Sequence, residues 1–217
     1  MRAHEIGPSM PQNWQASWPG KFDCFSHFEF AAGIPQVMCA VVTIKPNGQP
    51  NICLHAWNAF HGGGDGYRCF LPGIPEDGHT AMGLRHQGEF TVNFLSKHHL
   101  KALMATIERN DLDADEFAVS GLHPEPSAAI AVPRIREAFL TLECTLESFA
   151  QLSPKYWMVT GLVRHAAADE GYMNGVDRRY GPDGFMYNVH SPQDAVTGAE
   201  GDCLIATLLP EPPEVSP

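Results

Sequence analysis

Residues Val37 to Ile44 read VMCAVVTI, apolar on both alternating faces and bounded by Pro35 and Pro46. Polar residues need to alternate with apolar ones only where one face of a strand meets water, so this run predicts a central strand buried on both sides. Pro46-Asn47-Gly48-Gln49 follows it. Asn-Gly adopts positive φ at little cost, and Asn51 to Trp57 (NICLHAW) can therefore return antiparallel as the second arm of a hairpin.

Residues 1 to 36 mix Pro8, Pro11, Pro19 and Pro35 with Trp14, Trp18, Phe22, Phe25, Phe28 and Phe30. That is too proline-rich for a helix and too aromatic for a free tail, which predicts an irregular arm packed on the body. On the other side, His61-Gly62-Gly63-Gly64-Asp65-Gly66 reads as a flexible connection with no ligand role, leading to a short strand at Tyr67 to Leu71. It lacks the Gly-Lys-Ser/Thr of a phosphate loop. Thr80 to Gln87 predicts a short helix, and Glu89 to Leu95 a half-buried strand with Phe90, Val92 and Phe94 on one face. Ser96 can cap a helix whose Leu100, Leu103, Met104 and Ile107 form one apolar stripe. Residues 109 to 137, acidic and then rich in Pro and Ala, predict a loop with one helical turn. Phe139 to Phe149 and Tyr156 to His165 alternate apolar and polar residues, as two long strands joined at Ser153-Pro154 would. One more apolar run, Cys203 to Leu209, lies in the Gly-, Asp- and Pro-rich remainder. Five or six strands, a capped helix and no βαβ alternation predict a mainly β fold, a small antiparallel barrel with a few helices. The expected organisation is an arm over residues 1–30, a barrel domain over 31–168 and a C-terminal extension over 169–217.

The composition narrows the function. The 217 residues are 44% hydrophobic and 18% charged, which suits one compact domain with appendages. A formal net charge of -11 repels phosphate backbones and anionic headgroups, which argues against nucleic acid and membrane surfaces as partners. Six cysteines without a CxxC pair, several in apolar runs, fit a reduced chain. The N-terminal MRAHEIGPSMPQNWQ has no apolar signal core, so the expectation is a cytoplasmic protein. His98 and His99 point about 100° apart if helical and cannot chelate as an i, i+4 pair; no HxH or HExxH order exists, and no metal is expected. No GxSxG elbow marks a hydrolase, and no side chain is assigned as acid, base or nucleophile.

The order of several motifs carries a resemblance. Pro35-x-Val37 leads into VVTI, then Gly48 to Asn51, HTAMGLRHQGEFTVN (His79 to Asn93), GLHPEPS (Gly121 to Ser127), PRIREAFLTLEC (Pro133 to Cys144) and Val-Thr-Gly-Leu-Val (Val159 to Val163). Together they resemble the flavin reductase-like proteins with an FMN-binding split barrel, the flavoredoxin type in particular, over about residues 30 to 168. The tail Gly184 to Pro192, with Thr197 to Glu200, resembles an extension of some members. The resemblance implies a homodimer that binds FMN and takes hydride from NAD(P)H. It implies that Asn51, His55, Ala56, Trp57 and Asn58 line the isoalloxazine, and that Gly78, His79 and Thr80 meet the phosphate. On the residues alone, Trp57 suits a barrel-end core position equally, and Thr80 or Asp77 a plain helix cap. The chain departs from the family at Gly78, where a basic residue is usual, at Gly83, where Asn is usual, and at Ala56, where Ser or Thr is common. These departures leave open a non-enzymatic FMN carrier or electron-transfer protein, or a barrel that binds no flavin and serves as an interaction module.

Overall fold

The computed structural model describes residues 5–12, 14, 26–173, 184–188, 197, 199 and 205–207. The chain divides into two compact units, Val37–Met186 with Thr207–Pro217, and Met1–Gln36 with Tyr187–Ala206. In the latter, a short helix at His27–Ala32 starts at Ser26, whose hydroxyl accepts from the Phe28 N–H, and ends at Gly33 with φ 54°. His27 Nε2 lies 2.9 Å from the Gly7 carbonyl. Much of the expected arm, residues 15–25, lies outside the described residues, as do 189–192 and 203–204 of the expected tail and apolar run.

The larger unit is built on strands β1 (Cys39–Ile44), β2 (Pro50–His55), β3 (Ala59–Gly63) and β4 (Gly66–Pro75), helix α1 (His79–Gln87), strand β5 (Glu89–Phe94), helices α2 (Leu100–Glu108) and α3 (Glu116–Ser120), and strands β6 (Leu140–Ser153) and β7 (Tyr156–Ala168). The seven strands form one sheet in the order β2-β1-β5-β6-β7-β4-β3, and every pairing in it is antiparallel. The sheet curls round one core: Cys39 and Val41 of β1, Cys69 and Leu71 of β4, Phe90 and Val92 of β5, Cys144 of β6 and Val159 of β7 share it with Ala81 and Leu84 of α1. Cys69 and Cys144 lie two strands apart in the sheet, yet their Sγ atoms come within 3.9 Å. The architecture is a split β-barrel.

The expected hairpin is present, with Thr43 opposite Asn51 and Cys39 opposite His55. β1 is interior but next to the edge, not central, because β2 ends the sheet. Both of its faces are covered within the chain, with Ala40, Val41 and Val42 all at 0% exposure. The glycine run is not a loose connection: β3 pairs with β4 from Ala59 opposite Phe70 to Gly63 opposite Gly66. Backbone pairing needs no side chain, so a Gly-rich segment beside a Val-free strand escapes a search for apolar alternation. The chain turns at Gly64 and Asp65, where a Cβ on Gly64 would meet nothing.

Three further expectations are adjusted. Ser96 precedes a 3-10 turn at Lys97–His99 and makes no side-chain cap bond; α2 begins after it. The loop over 109–137 contains α3, capped by the Asp115 carboxylate, and a two-residue strand pair, Pro124–Glu125 with Arg134–Ile135. β5, expected to be half-buried, is buried from Phe90 to Phe94, because that loop covers its polar face: Asn93, fully buried there, uses all its bonding capacity. Its Nδ2 donates to the Ala40 carbonyl and Thr91 Oγ1, and its Oδ1 accepts from the Ile135 N–H and Thr141 Oγ1.

Candidate functional site

Strand β2, the end of β4 and the start of α1 converge. Asn51, 3% exposed, donates from Nδ2 to Thr43 Oγ1 at 3.2 Å and to Thr80 Oγ1 at 3.1 Å. Thr80, also buried, hydrogen-bonds the Cys53 thiol as well; burial pushes that thiol up to about 11. α1 can press this close because its Gly83 has no side chain: a Cβ there would stand 2.7 Å from Thr43 Oγ1 and 2.9 Å from the Ile44 carbonyl oxygen.

Four residues along β2, His55 is buried and bonded to the backbone at Trp57 and Pro72. Burial lowers its pKa to about 4, so the ring is neutral, and its Nε2 has no hydrogen-bond partner. Trp57 meets the His55 ring edge-on at 6.1 Å and packs on Gly73, whose φ of 79° and missing Cβ are both needed there; a Cβ would lie 2.9 Å from the indole. Ala56 and Trp57 are half-buried, as is Asn58, whose Nδ2 donates to the Val37 carbonyl at 2.7 Å and is thereby turned to the backbone just ahead of β1.

Because β2 ends the sheet, one row of its backbone groups faces away from β1. The Ile52 N–H lies in that row and donates to Glu116 Oε2 at 2.6 Å, and period-two alternation puts the Leu54 N–H on the same outer edge. Glu116 is 1% exposed and its pKa rises to about 7, chiefly through burial, which the Ile52 N–H and the Lys45 ammonium only partly offset. Lys45 Nζ stands 3.6 Å from Glu116 Oε1.

Gly78 is the N-cap of α1 and, like the rest of the helix start, supplies no side-chain cap, so neither Asp77 nor Thr80 caps it. The first intrahelical bond runs from the Met82 N–H to the Gly78 carbonyl at 3.0 Å, so the amides of His79, Thr80 and Ala81 lie ahead of it, without an intrahelical acceptor. No acidic residue occupies that first turn. His79 Nδ1 lies 2.8 Å from Asn110 Oδ1. The structure thus brings Asn51 and Thr80 into contact, and His55 with Trp57. The Thr80 hydroxyl is engaged with Asn51 and Cys53, which leaves the helix amides and His79 as the groups open to an anion. Gly73, Asn110, Lys45 and Glu116 escaped the sequence reading, since nothing in their local pattern marks them. Among the described residues, no group of three His, Cys, Asp or Glu is placed to hold a metal ion.

The fold is a split β-barrel in which an uncapped helix start packs near an edge strand. Residues 33–182, more than half of the chain, match the flavin reductase like domain, and the protein belongs to that family. Nitrilotriacetate monooxygenase component B from Bacillus cereus shares 18% identity over 94% of this chain and 97% of its own, with a TM-score of 0.71. A Shewanella frigidimarina protein with a split barrel domain shares 18% over 83% and 86%, at 0.67. An FMN-binding protein from Thermus thermophilus, with bound p-hydroxybenzaldehyde, shares 15% over 98% of each chain, at 0.64. These likenesses establish the fold. An uncharacterized protein from Aquifex aeolicus is 36% identical over 61 residues, a match spanning 28% of this chain and 31% of that relative.

Proposed function

We propose that this chain binds FMN, and that it accepts hydride from NAD(P)H onto that flavin as an oxidoreductase. The observation that carries the proposal is the pairing of two features on one strand: Asn51 touches the open start of α1 through Thr80, and His55 with Trp57 lies four residues on, roughly 13 Å away along an extended strand. An anionic group at one end and a flat ring system at the other suit a flavin mononucleotide. The donor set fits both ends. The amides of α1 and the His79 ring would hold the phosphate; the outer edge of β2 near Leu54, with Ala56 and Trp57 beside it, would hold the ring. Bound FMN supplies the hydride-accepting chemistry, and the chain contributes binding, orientation and exclusion of water. His55, neutral and partnerless at Nε2, presents no charge to that ring.

A homodimer would cover Tyr67, Leu112 and Leu152, large apolar side chains that stand 44 to 54% exposed. A cytoplasmic location accords with Cys39, Cys53, Cys69 and Cys144 being free thiols. Ala56, which offers the ring no hydroxyl, favours an FMN-holding electron carrier as the second reading.

Two titrations test the first reading. His79→Ala should weaken FMN about tenfold or more, the loss of a charge-assisted hydrogen bond, while riboflavin, which has no phosphate, keeps its affinity. Equal losses for both flavins in a folded variant would overturn the phosphate assignment. Bleaching of the flavin spectrum by NADH or NADPH without oxygen supports the reductase; a yellow protein that neither nucleotide bleaches selects the carrier.

A further inference from the structure

The acidic stretch that follows α2, Asn110-Asp111-Leu112-Asp113-Ala114-Asp115-Glu116, is held in place residue by residue. Lys45, at the end of β1 and with 0% exposure, buries its ammonium beneath the stretch and donates to the Asp111 carbonyl at 3.1 Å and the Ala114 carbonyl at 2.7 Å. Asn47, in the turn to β2, donates from Nδ2 to the Leu112 carbonyl and to Asp113 Oδ1, both at 3.0 Å. Asp115 caps α3, and Glu116 bonds the Ile52 N–H on β2. A buried lysine ammonium is costly to desolvate and must find oxygen acceptors, so the backbone carbonyls it takes are strongly positioned. The turn of the first hairpin therefore clasps the stretch from Asp111 to Ala114.

What the clasp delivers is Asn110, the residue just before it. Asn110 is exposed and its Oδ1 accepts from His79 Nδ1 at 2.8 Å, across 31 positions of sequence. An acceptor held at the Nδ1–H sets the orientation of a histidine ring, and a protonated ring so held can donate from Nε2, which faces the other way, to an anion. We infer that Asn110 is a positioning residue for the anionic end of the ligand, acting through His79, and that the clasped segment is the arm that brings it there. The inference rests on the phosphate reading proposed above. It adds a contribution from a separate loop to a helix start that, with Gly78 in place of a basic residue, has His79 as its sole basic residue in the first turn.

The experiment uses the full chain with FMN and riboflavin as probes. Asn110→Ala should lower FMN affinity about three- to tenfold and leave riboflavin affinity unchanged. In the Asn110→Ala, His79→Ala double variant, the FMN loss should be no larger than in His79→Ala alone, because Asn110 acts only through the ring. Nitrogen-15 spectra of the imidazole give a readout that simple folding would not move: the hydrogen-bonded Nδ1–H signal of His79 should be present in the parent, absent in Asn110→Ala and recovered in Asn110→Asp, which restores an acceptor. If His79→Ala discriminates FMN from riboflavin but Asn110→Ala does not, or if the two losses add, the positioning role is overturned and the phosphate reading stands. If His79→Ala itself fails to discriminate, both are overturned.

Discussion

Replacing Gly83 with Ala sets two effects of known sign against each other. In an exposed helix interior the change would gain about 1 kcal/mol, since Ala is the better helix former. In this helix the added methyl would lie 2.7 Å from Thr43 Oγ1, 2.8 Å from Thr43 Cβ and 2.9 Å from the Ile44 carbonyl oxygen. Only the first of these can be relieved by a side chain, and β1, which carries all three atoms, is held between β2 and β5. Overpacking of this kind costs about 1 to 3 kcal/mol, and a backbone obstacle places it near the top of that range. The net is a destabilisation of about 2 kcal/mol, or a fall in Tm of about 4 to 8 °C for a chain of this length. Thr43→Ala in the same chain removes the 2.7 Å contact but neither of the others, so it should restore only part of the loss. Thermal and urea unfolding of the three variants measure this. A Gly83→Ala protein that melts at or above the parent would refute the close packing of α1 on β1, and with it the account of how Thr80 reaches Asn51.

Gly161→Ala should be worse, because its Cβ would fall 2.3 Å from the Phe90 ring, and Phe90→Leu in the same chain should recover much of the stability in urea unfolding. His55 gives a pH dependence: its pKa falls from 6.5 to about 4 on folding, so its contribution is complete above pH 6.5 and is lost as pH drops toward 4. Urea unfolding should show the parent losing about 3 kcal/mol more than His55→Gln between pH 7.5 and pH 4, and parallel profiles would refute a neutral buried ring. Sedimentation at micromolar concentration should give a dimer; a monomer that holds FMN stoichiometrically contradicts the proposed assembly.

The barrel was legible wherever strands carried side-chain pattern. VMCAVVTI and EFTVNFL fell where expected, and the two long strands proved longer, running to Ser153 and Ala168. Phe149 to Ser153 is mostly exposed, so the apolar alternation ends before the backbone pairing does. β3 was missed for a related reason, since Ala59-Phe60-His61-Gly62-Gly63 pairs through its backbone and buries little. Both faces of β1 are buried as its sequence predicts, but by the chain's own elements. Ile52, Leu103 and Phe117, from β2, α2 and α3, are buried in the same unit, and an apolar strand alone cannot say whether its second face meets the chain's own helices or a second copy.

The candidate site was legible only in its local parts, and the division follows from range. Asn51, His55, Trp57 and Thr80 stand at strand ends and a helix start, positions that local pattern can find. The contacts that place the segment beside α1 act across long separations: Lys45 grips carbonyls 66 and 69 positions away, and Asn110 meets His79 across 31. The two departures in α1 also have different physical standing. Gly83 is required, because the Asn usual there would drive a side chain into Thr43 and the Ile44 carbonyl. Gly78 is not: its φ is -74°, and a Cβ would meet the Pro75 carbonyl at an ordinary 3.4 Å. A basic residue could therefore be accommodated at 78, whereas restoring Asn at 83 requires β1 to move. If the phosphate end lacks charge, Gly78→Lys should tighten FMN without touching riboflavin, while Gly83→Asn should cost stability for both; the reverse pattern would mean that α1 does not face the ligand with its first turn.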